Sequence, residues 1–163
     1  MAAVAVVFHE GDDGLDLLFV KRCAREGGRW SGDVAFPGGL SEEGETEPAQ
    51  TARREAREEV GISLGEPVGR LSAHLTVEPR RARPMRVVPV VFSVDERPPL
   101  VLEPAEIAEA FWVPWSVIEQ AQTRWLLRTA RRLPMLAPSI RIHGYPLWGL
   151  TLQMVWGLSR RLG

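Results

Sequence analysis

Residues 36–62 read FPGGLSEEGETEPAQTARREAREEVGI, and this stretch decides what kind of molecule the chain makes. Its second half has a helical pattern: Pro48 suits a first turn, Ala49–Val60 carries the helix, and Gly61 ends it. Projected onto a helix, Glu55, Glu58 and Glu59 share a face about 100° wide. Ala49, Ala52, Ala56 and Val60 form a neighbouring stripe about 80° wide, small and apolar, suited to close packing on a sheet. Like charges at these spacings disfavour the helix by a few tenths of a kcal/mol per pair, and Arg54 and Arg57 offset only part of that.

The ordinary explanation of such a run is a solvated acidic face. Three features oppose it here. The carboxylates point to one patch, the Gly38-Gly39 turn lets backbone carbonyls approach a ligand, and Glu45 adds a carboxylate in the connecting loop. Clustered carboxylates with a backbone carbonyl suit a hard divalent cation, Mg²⁺ or Mn²⁺. Zinc does not fit, because His9, His74 and His143 are not paired at ligand spacing.

Outward from this stretch, Ala2–Phe8 and Leu15–Lys21 are apolar runs separated by Gly11–Gly14, the pattern of a hairpin. Residues 23–33 form a polar loop, and Val34–Phe36 a strand that ends in the sharp Pro37-Gly38-Gly39 turn. Val68–Val77 and Met85–Val94 predict two long strands joined by the arginine-rich segment Arg80–Arg86. Phe111–Val113 predicts a short strand and Val117–Gln122 the start of a helix. Trp148–Leu162 carries Leu150, Met154, Val155 and Leu158 at helical spacing. Without a repeat or linker, residues 1–163 are expected to make one mixed α/β domain.

Composition bounds the partners. The 163 residues carry 20 basic and 21 acidic side chains, a net charge of −1, which argues against a generally basic nucleic-acid binder. One cysteine, Cys23, excludes a disulfide framework and fits a reducing compartment. No segment approaches the roughly 20 apolar residues of a membrane span. The opening MAAVAVVF lacks the basic flank of a signal peptide and reads as a strand. A cytoplasmic protein with neither a nucleic-acid nor a membrane partner is expected.

Gly39, Glu45, Arg54-Glu55, Glu58-Glu59, Gly61 and Ile62 together closely resemble the Nudix box, G-x5-E-x7-R-E-U-x-E-E-x-G-U, with U a bulky aliphatic residue. The chain departs from it twice: eight residues separate Glu45 from Arg54, and Ala56 stands where a bulky residue is usual. The longer spacing is similar to that of the coenzyme A pyrophosphatases of the Nudix superfamily. So are the upstream Leu17–Arg22, Gly32 and Phe36–Gly39, with displaced arginines, and the downstream Val87–Val91 and Tyr145–Thr151.

The resemblance implies the Nudix fold, a mixed central β-sheet sandwiched between α-helices, and hydrolysis of a nucleoside diphosphate linked to another moiety. It implies a small-molecule nucleotide as partner and Mg²⁺ or Mn²⁺ as cofactor, held by Glu55, Glu58, Glu59 and the Gly39 carbonyl. Arg54 would orient the glutamates. Glu45 would be the loop glutamate of the box, or else merely cap the helix. Glu106, chosen over Glu103 and Glu109, would supply a distal catalytic carboxylate. Arg22, Arg29, Phe36 and Gly38 would contact substrate. Many members of the superfamily are dimers, so a homodimer is an expectation, although no stripe identifies an interface. Coenzyme A or acyl-CoA leads as substrate, ahead of ADP-ribose or another nucleoside-diphosphate sugar. A Nudix-fold binding module without catalysis is the reading from another class, opposed by the full REAREE set.

Other features have ordinary explanations. Arg80, Arg81, Arg83 and Arg86 suit a solvated loop, or else a phosphate clamp. Arg124, Arg128 and Arg131 recur at i, i+4 and i+7 as a basic stripe, read as a solvated face. Trp112, Trp148 and Trp156 are expected to pack, leaving Trp30 and Trp115 as candidates for substrate contact. Cys23 is read as non-catalytic.

Overall fold

The computed structural model describes residues 1–24, 32–77, 83–130 and 133–162. In chain order the elements are β1 (Ala2–Gly11), β2 (Gly14–Arg22), β3 (Val34–Ala35), β4 (Gly38–Leu40), α1 (Pro48–Val60), β5 (Gly69–Arg70), β6 (His74–Val77) and β7 (Pro84–Val94). Then come β8 (Ile107–Pro114), α2 (Trp115–Gln120), β9 (Arg124–Ala130), β10 (Leu133–Ile142), β11 (Tyr145–Trp148) and α3 (Gly149–Leu162).

The first two apolar runs form the expected hairpin, with Phe8 opposite Leu17. On its other side β1 pairs in parallel with β7, from Ala2↔Val87 to His9↔Val94. The main sheet has eight strands with the path β3-β2-β1-β7-β5; β4 also pairs with β1, β6 with β7, and β8 with β2. Every ladder except β1–β7 is antiparallel, so the sheet is mixed.

Its strands are apolar on both faces because both faces are covered. Ala3, Ala5 and Val7 pack with Leu18, Val20, Val90 and Phe92 beneath Ala49, Ala52, Ala56 and Val60 of α1. The alternate residues Ala2, Val6, Leu17, Phe19 and Val91 pack with Leu152, Met154, Val155 and Leu158 of α3. Beside α3, and sharing that second core through Ile140, Ile142 and Leu147, lies a separate antiparallel sheet ordered β11-β10-β9. The sheet between helices is therefore present, with a small second sheet added to one layer. Among the described residues no helix is long and apolar enough to cross a membrane.

Several elements differ from the sequence reading. Gly38-Gly39, expected as a turn, instead forms β4, paired with Val4 and Ala3. The predicted long strand Val68–Val77 is broken into β5 and β6, and their register against β7 slips by one residue between Arg70↔Val90 and His74↔Val87. Pro89 lies opposite the break and lacks an N–H, so it offers only its carbonyl, which accepts from Leu71 N–H at 3.0 Å. The strand around Phe111 runs longer than predicted, over Ile107–Pro114. The predicted arginine stripe is not helical. Residues 124–130 form β9, where Arg128 turns inward while Trp125 and Leu127, with Leu136 across the ladder, stay 63–71% exposed. Arg131 lies outside the described residues, as do Arg80 and Arg81.

Ala52 and Ala56 are fully buried, so the small stripe sets how closely α1 approaches the sheet. Replacing Ala52 or Ala56 by Leu is expected to cost about 1–3 kcal/mol through overpacking. A thermal melt would read this as a loss of roughly 3–9 °C, and an unchanged melt for both variants would mean that α1 rides loosely.

Candidate functional site

The site is built where α1 passes the β4 strand. The left-handed Gly61 (φ 74°) stops α1, and a Cβ there would lie 2.9 Å from the Val101 side chain. At the other end the Gln50 side chain accepts the Glu47 N–H at 2.9 Å, half of a capping box. Glu45 therefore does not cap the helix. Its carboxylate accepts Arg54 Nε at 2.9 Å, Thr51 Oγ1 at 2.8 Å and the Glu42 N–H at 2.8 Å. Burial alone would raise the Glu45 pKa, but these donors outweigh it and hold the carboxyl at about 2.

Arg54 ties the loop to the helix. It donates to Glu55 Oε1 and Glu58 Oε2, both at 2.9 Å, and to the Leu40 carbonyl at 2.8 Å. Glu55 lies so close to Gly39 that a Cβ at residue 39 would collide with its carboxylate. Burial pushes the Glu55 carboxyl above its ordinary value, against the pull of Arg54.

Glu59 is the most deeply buried of the three α1 carboxylates, 1% exposed. Arg22 donates to its Oε1 at 2.7 Å, and the Gly38 N–H donates to its Oε2 at 3.0 Å. Burial, aided by the nearby Glu55, still raises the Glu59 carboxyl to about 7, with Arg22 and Gly38 opposing. The other guanidinium nitrogen of Arg22 lies 3.8 Å from Glu106 Oε2. Of the three distal candidates, Glu106 is thus the one beside this cluster: Glu109 accepts the Tyr145 hydroxyl, and Glu103 folds back onto the Ala105 N–H.

Glu55, Glu58, Glu59, Arg54, Arg22, Gly38, Gly39 and Glu106 are therefore brought together. Two expected contacts are corrected. The Phe36 ring is 2% exposed and stacks on Phe19 at 4.8 Å, so it is a core residue with no face for substrate. Trp115 is likewise buried in the core, at 8%. Arg29 and Trp30 lie outside the described residues. Sequence reasoning missed Asp33, whose Oδ1 accepts both Arg128 at 2.8 Å and Trp148 Nε1 at 3.0 Å. Arg128 also stacks over the Trp148 ring at 4.4 Å, which ties the small sheet to the strand entering the site.

The donor set is all hard oxygen, which fits Mg²⁺ or Mn²⁺ in kind. In arrangement each α1 carboxylate is instead held by a guanidinium, and no three potential ligands among the described residues converge at metal spacing.

Residues 1–133 match the NUDIX domain family. The mitochondrial coenzyme A diphosphatase NUDT8 of Homo sapiens is 33% identical over 83% of this chain and 58% of its own length. The peroxisomal coenzyme A diphosphatase ndx-8 of Caenorhabditis elegans is 34% identical over 71% of this chain and 49% of its own. The chain thus spans about half the length of these relatives, 49–58%. Among solved structures, the NUDIX domain of Shewanella oneidensis NrtR complexed with ADP ribose superposes with a TM-score of 0.64 at 20% identity, covering 99% of this chain and 87% of that one. That likeness is one of fold.

The raised Glu59 carboxyl has a measurable consequence. Folding favours its protonated form, so its contribution to stability is fully present below about pH 4.5 and is lost as pH rises through about 7. In chelator, the wild-type melting temperature should fall roughly 5–10 °C further than that of Glu59→Gln between about pH 5 and pH 8. Parallel curves for the two proteins would refute the burial argument.

Proposed function

The chain belongs to the NUDIX domain family, and on that premise we propose that it is a metal-dependent pyrophosphohydrolase. Its substrate in this reading is coenzyme A or an acyl-CoA, split into 3′,5′-ADP and 4′-phosphopantetheine. The observation that carries the chemistry is the α1 carboxylate face, in which Arg54 joins Glu45, Glu55 and Glu58 and the Gly38 N–H of the facing strand donates to Glu59. The 33% and 34% identities to two coenzyme A diphosphatases support the substrate. So does the Leu17–Arg22 to Phe36–Gly39 signature.

In this reading Glu55, Glu58, Glu59 and the Gly39 carbonyl hold the cation. When bound, Mg²⁺ or Mn²⁺ supplies charge neutralisation for the pyrophosphate and renders a water more acidic. Arg54 fixes the direction of the Glu55 and Glu58 carboxylates and, through Glu45, the loop that precedes them. Glu106 is half-exposed and keeps a loose 3.8 Å contact with Arg22, so its carboxylate can accept a proton from the attacking water. The glycines of β4 allow the close approach the site needs: a Cβ at residue 39 would collide with the Glu55 carboxylate, and one at residue 38 with Ala3 and Val4 of β1.

The test is a panel of coenzyme A, an acyl-CoA and ADP-ribose with Mg²⁺ or Mn²⁺, with the products identified. Coenzyme A should give 3′,5′-ADP and 4′-phosphopantetheine; rapid cleavage of ADP-ribose with coenzyme A untouched would overturn the substrate. Glu58→Gln and Glu59→Gln should each lose roughly 100-fold or more of kcat while keeping the wild-type circular dichroism. Full activity in both would remove the catalytic assignment.

A further inference from the structure

Arg22 occupies an unusual position for a substrate contact. It ends β2, and the register of β2 against β8 slips between Lys21 and Arg22, an irregularity of the kind that re-aims a side chain. The chain beyond is held by Cys23 N–H, which donates to the Glu106 carbonyl at 2.7 Å. So aimed, Arg22 reaches the most deeply buried carboxylate of α1 and takes its Oε1, while Gly38 takes Oε2. Both oxygens of Glu59 are thereby engaged. The Arg22 side chain is itself 28% exposed, with the Gly38 carbonyl as a second acceptor at 3.5 Å and the Glu106 carboxylate 3.8 Å away.

We propose that Arg22 is an exchangeable counter-ion for Glu59: it neutralises the buried carboxylate in the metal-free protein and is displaced toward Glu106 and solvent when a divalent cation binds. The inference rests on the reading of Glu59 as a ligand. A buried carboxylate without a cation is strongly disfavoured, so one positive group or the other must serve it. Two cations at contact distance from one carboxylate repel each other, so the guanidinium and the metal compete. Arg54 is arranged differently. It engages one oxygen each of Glu55 and Glu58 and is anchored by Glu45 and the Leu40 carbonyl, so it orients ligands without consuming them.

The two arginines therefore have opposite effects on metal affinity, which the removal of a positive charge alone would not produce. Mn²⁺ titration followed by electron paramagnetic resonance, without substrate, reads this directly. Arg22→Gln should bind Mn²⁺ about tenfold more tightly than wild type, Arg22→Lys should stay near wild type, and Arg54→Gln should bind more weakly. Arg22→Gln binding no more tightly than wild type would overturn the exchange while leaving the metal reading intact. Wild type binding no Mn²⁺ at all would remove the metal reading and the exchange with it. Should Arg22→Gln fail to fold, Mg²⁺ titration of the wild-type ¹H–¹⁵N spectrum replaces it. The Arg22 Nε resonance, assigned by its loss in Arg22→Lys, should move as Mg²⁺ binds; an unmoved resonance at saturation sinks the proposal.

Discussion

A carboxylate 1% exposed to water is the constraint around which this end of the molecule is arranged. Glu59 has one helix turn on which to sit, and it needs a donor for each oxygen. One donor is a backbone N–H, available because β4 brings residue 38 under the helix. The other is a guanidinium delivered from the end of β2. The Glu59 carbonyl is used as well, accepting the Glu103 N–H at 3.0 Å, which tethers the segment that carries Glu106. Three separate pieces of chain thus converge on one residue, and the close approach of α1 through its alanines makes the convergence possible.

Arg54 organises the solvent side in the same way. Its pairs with Glu45 and Glu55 are largely buried and its pair with Glu58 is at the surface, and all three share one planar group with fixed donor directions. Such a hub trades energy for geometry. The seven glutamates and three arginines of residues 42–59 are in this light a partly neutralised array, and the net charge of −1 conceals it.

Much of this was legible in the sequence for identifiable reasons. The α1 boundaries follow from Pro48, Gly61 and a small-residue stripe of helical period, and the β1–β2 hairpin from two apolar runs around a Gly/Asp turn. Glu55, Glu58 and Glu59 were recognisable because their spacing fixes a common face. What failed did so physically. Gly38-Gly39 has the composition of a turn, yet glycine also serves a strand pressed under a helix. Arginines four residues apart, as at 124 and 128, satisfy the strand period as well as the helix period, so charge spacing alone could not separate them. Phe36 looked functional through its place in a motif, although its role there is to anchor the strand in the core. Asp33 had no local signal, because Arg128 and Trp148 reach it from 95 and 115 residues away.

The parallel pairing of β1 with β7 has a consequence for how the chain acquires its shape. Each pair in that ladder joins residues 85 apart, so the central contact of the sheet closes a long loop. During synthesis the β1–β2 hairpin, apolar on both faces, emerges well before Val87–Val94 exist to cover its open edge. An unpaired, two-sided apolar hairpin is a template for wrong partners. The central ladder of this sheet therefore requires a late, long-range encounter, and the hairpin edge that β7 covers stays unpaired by it until residues 87–94 have been made.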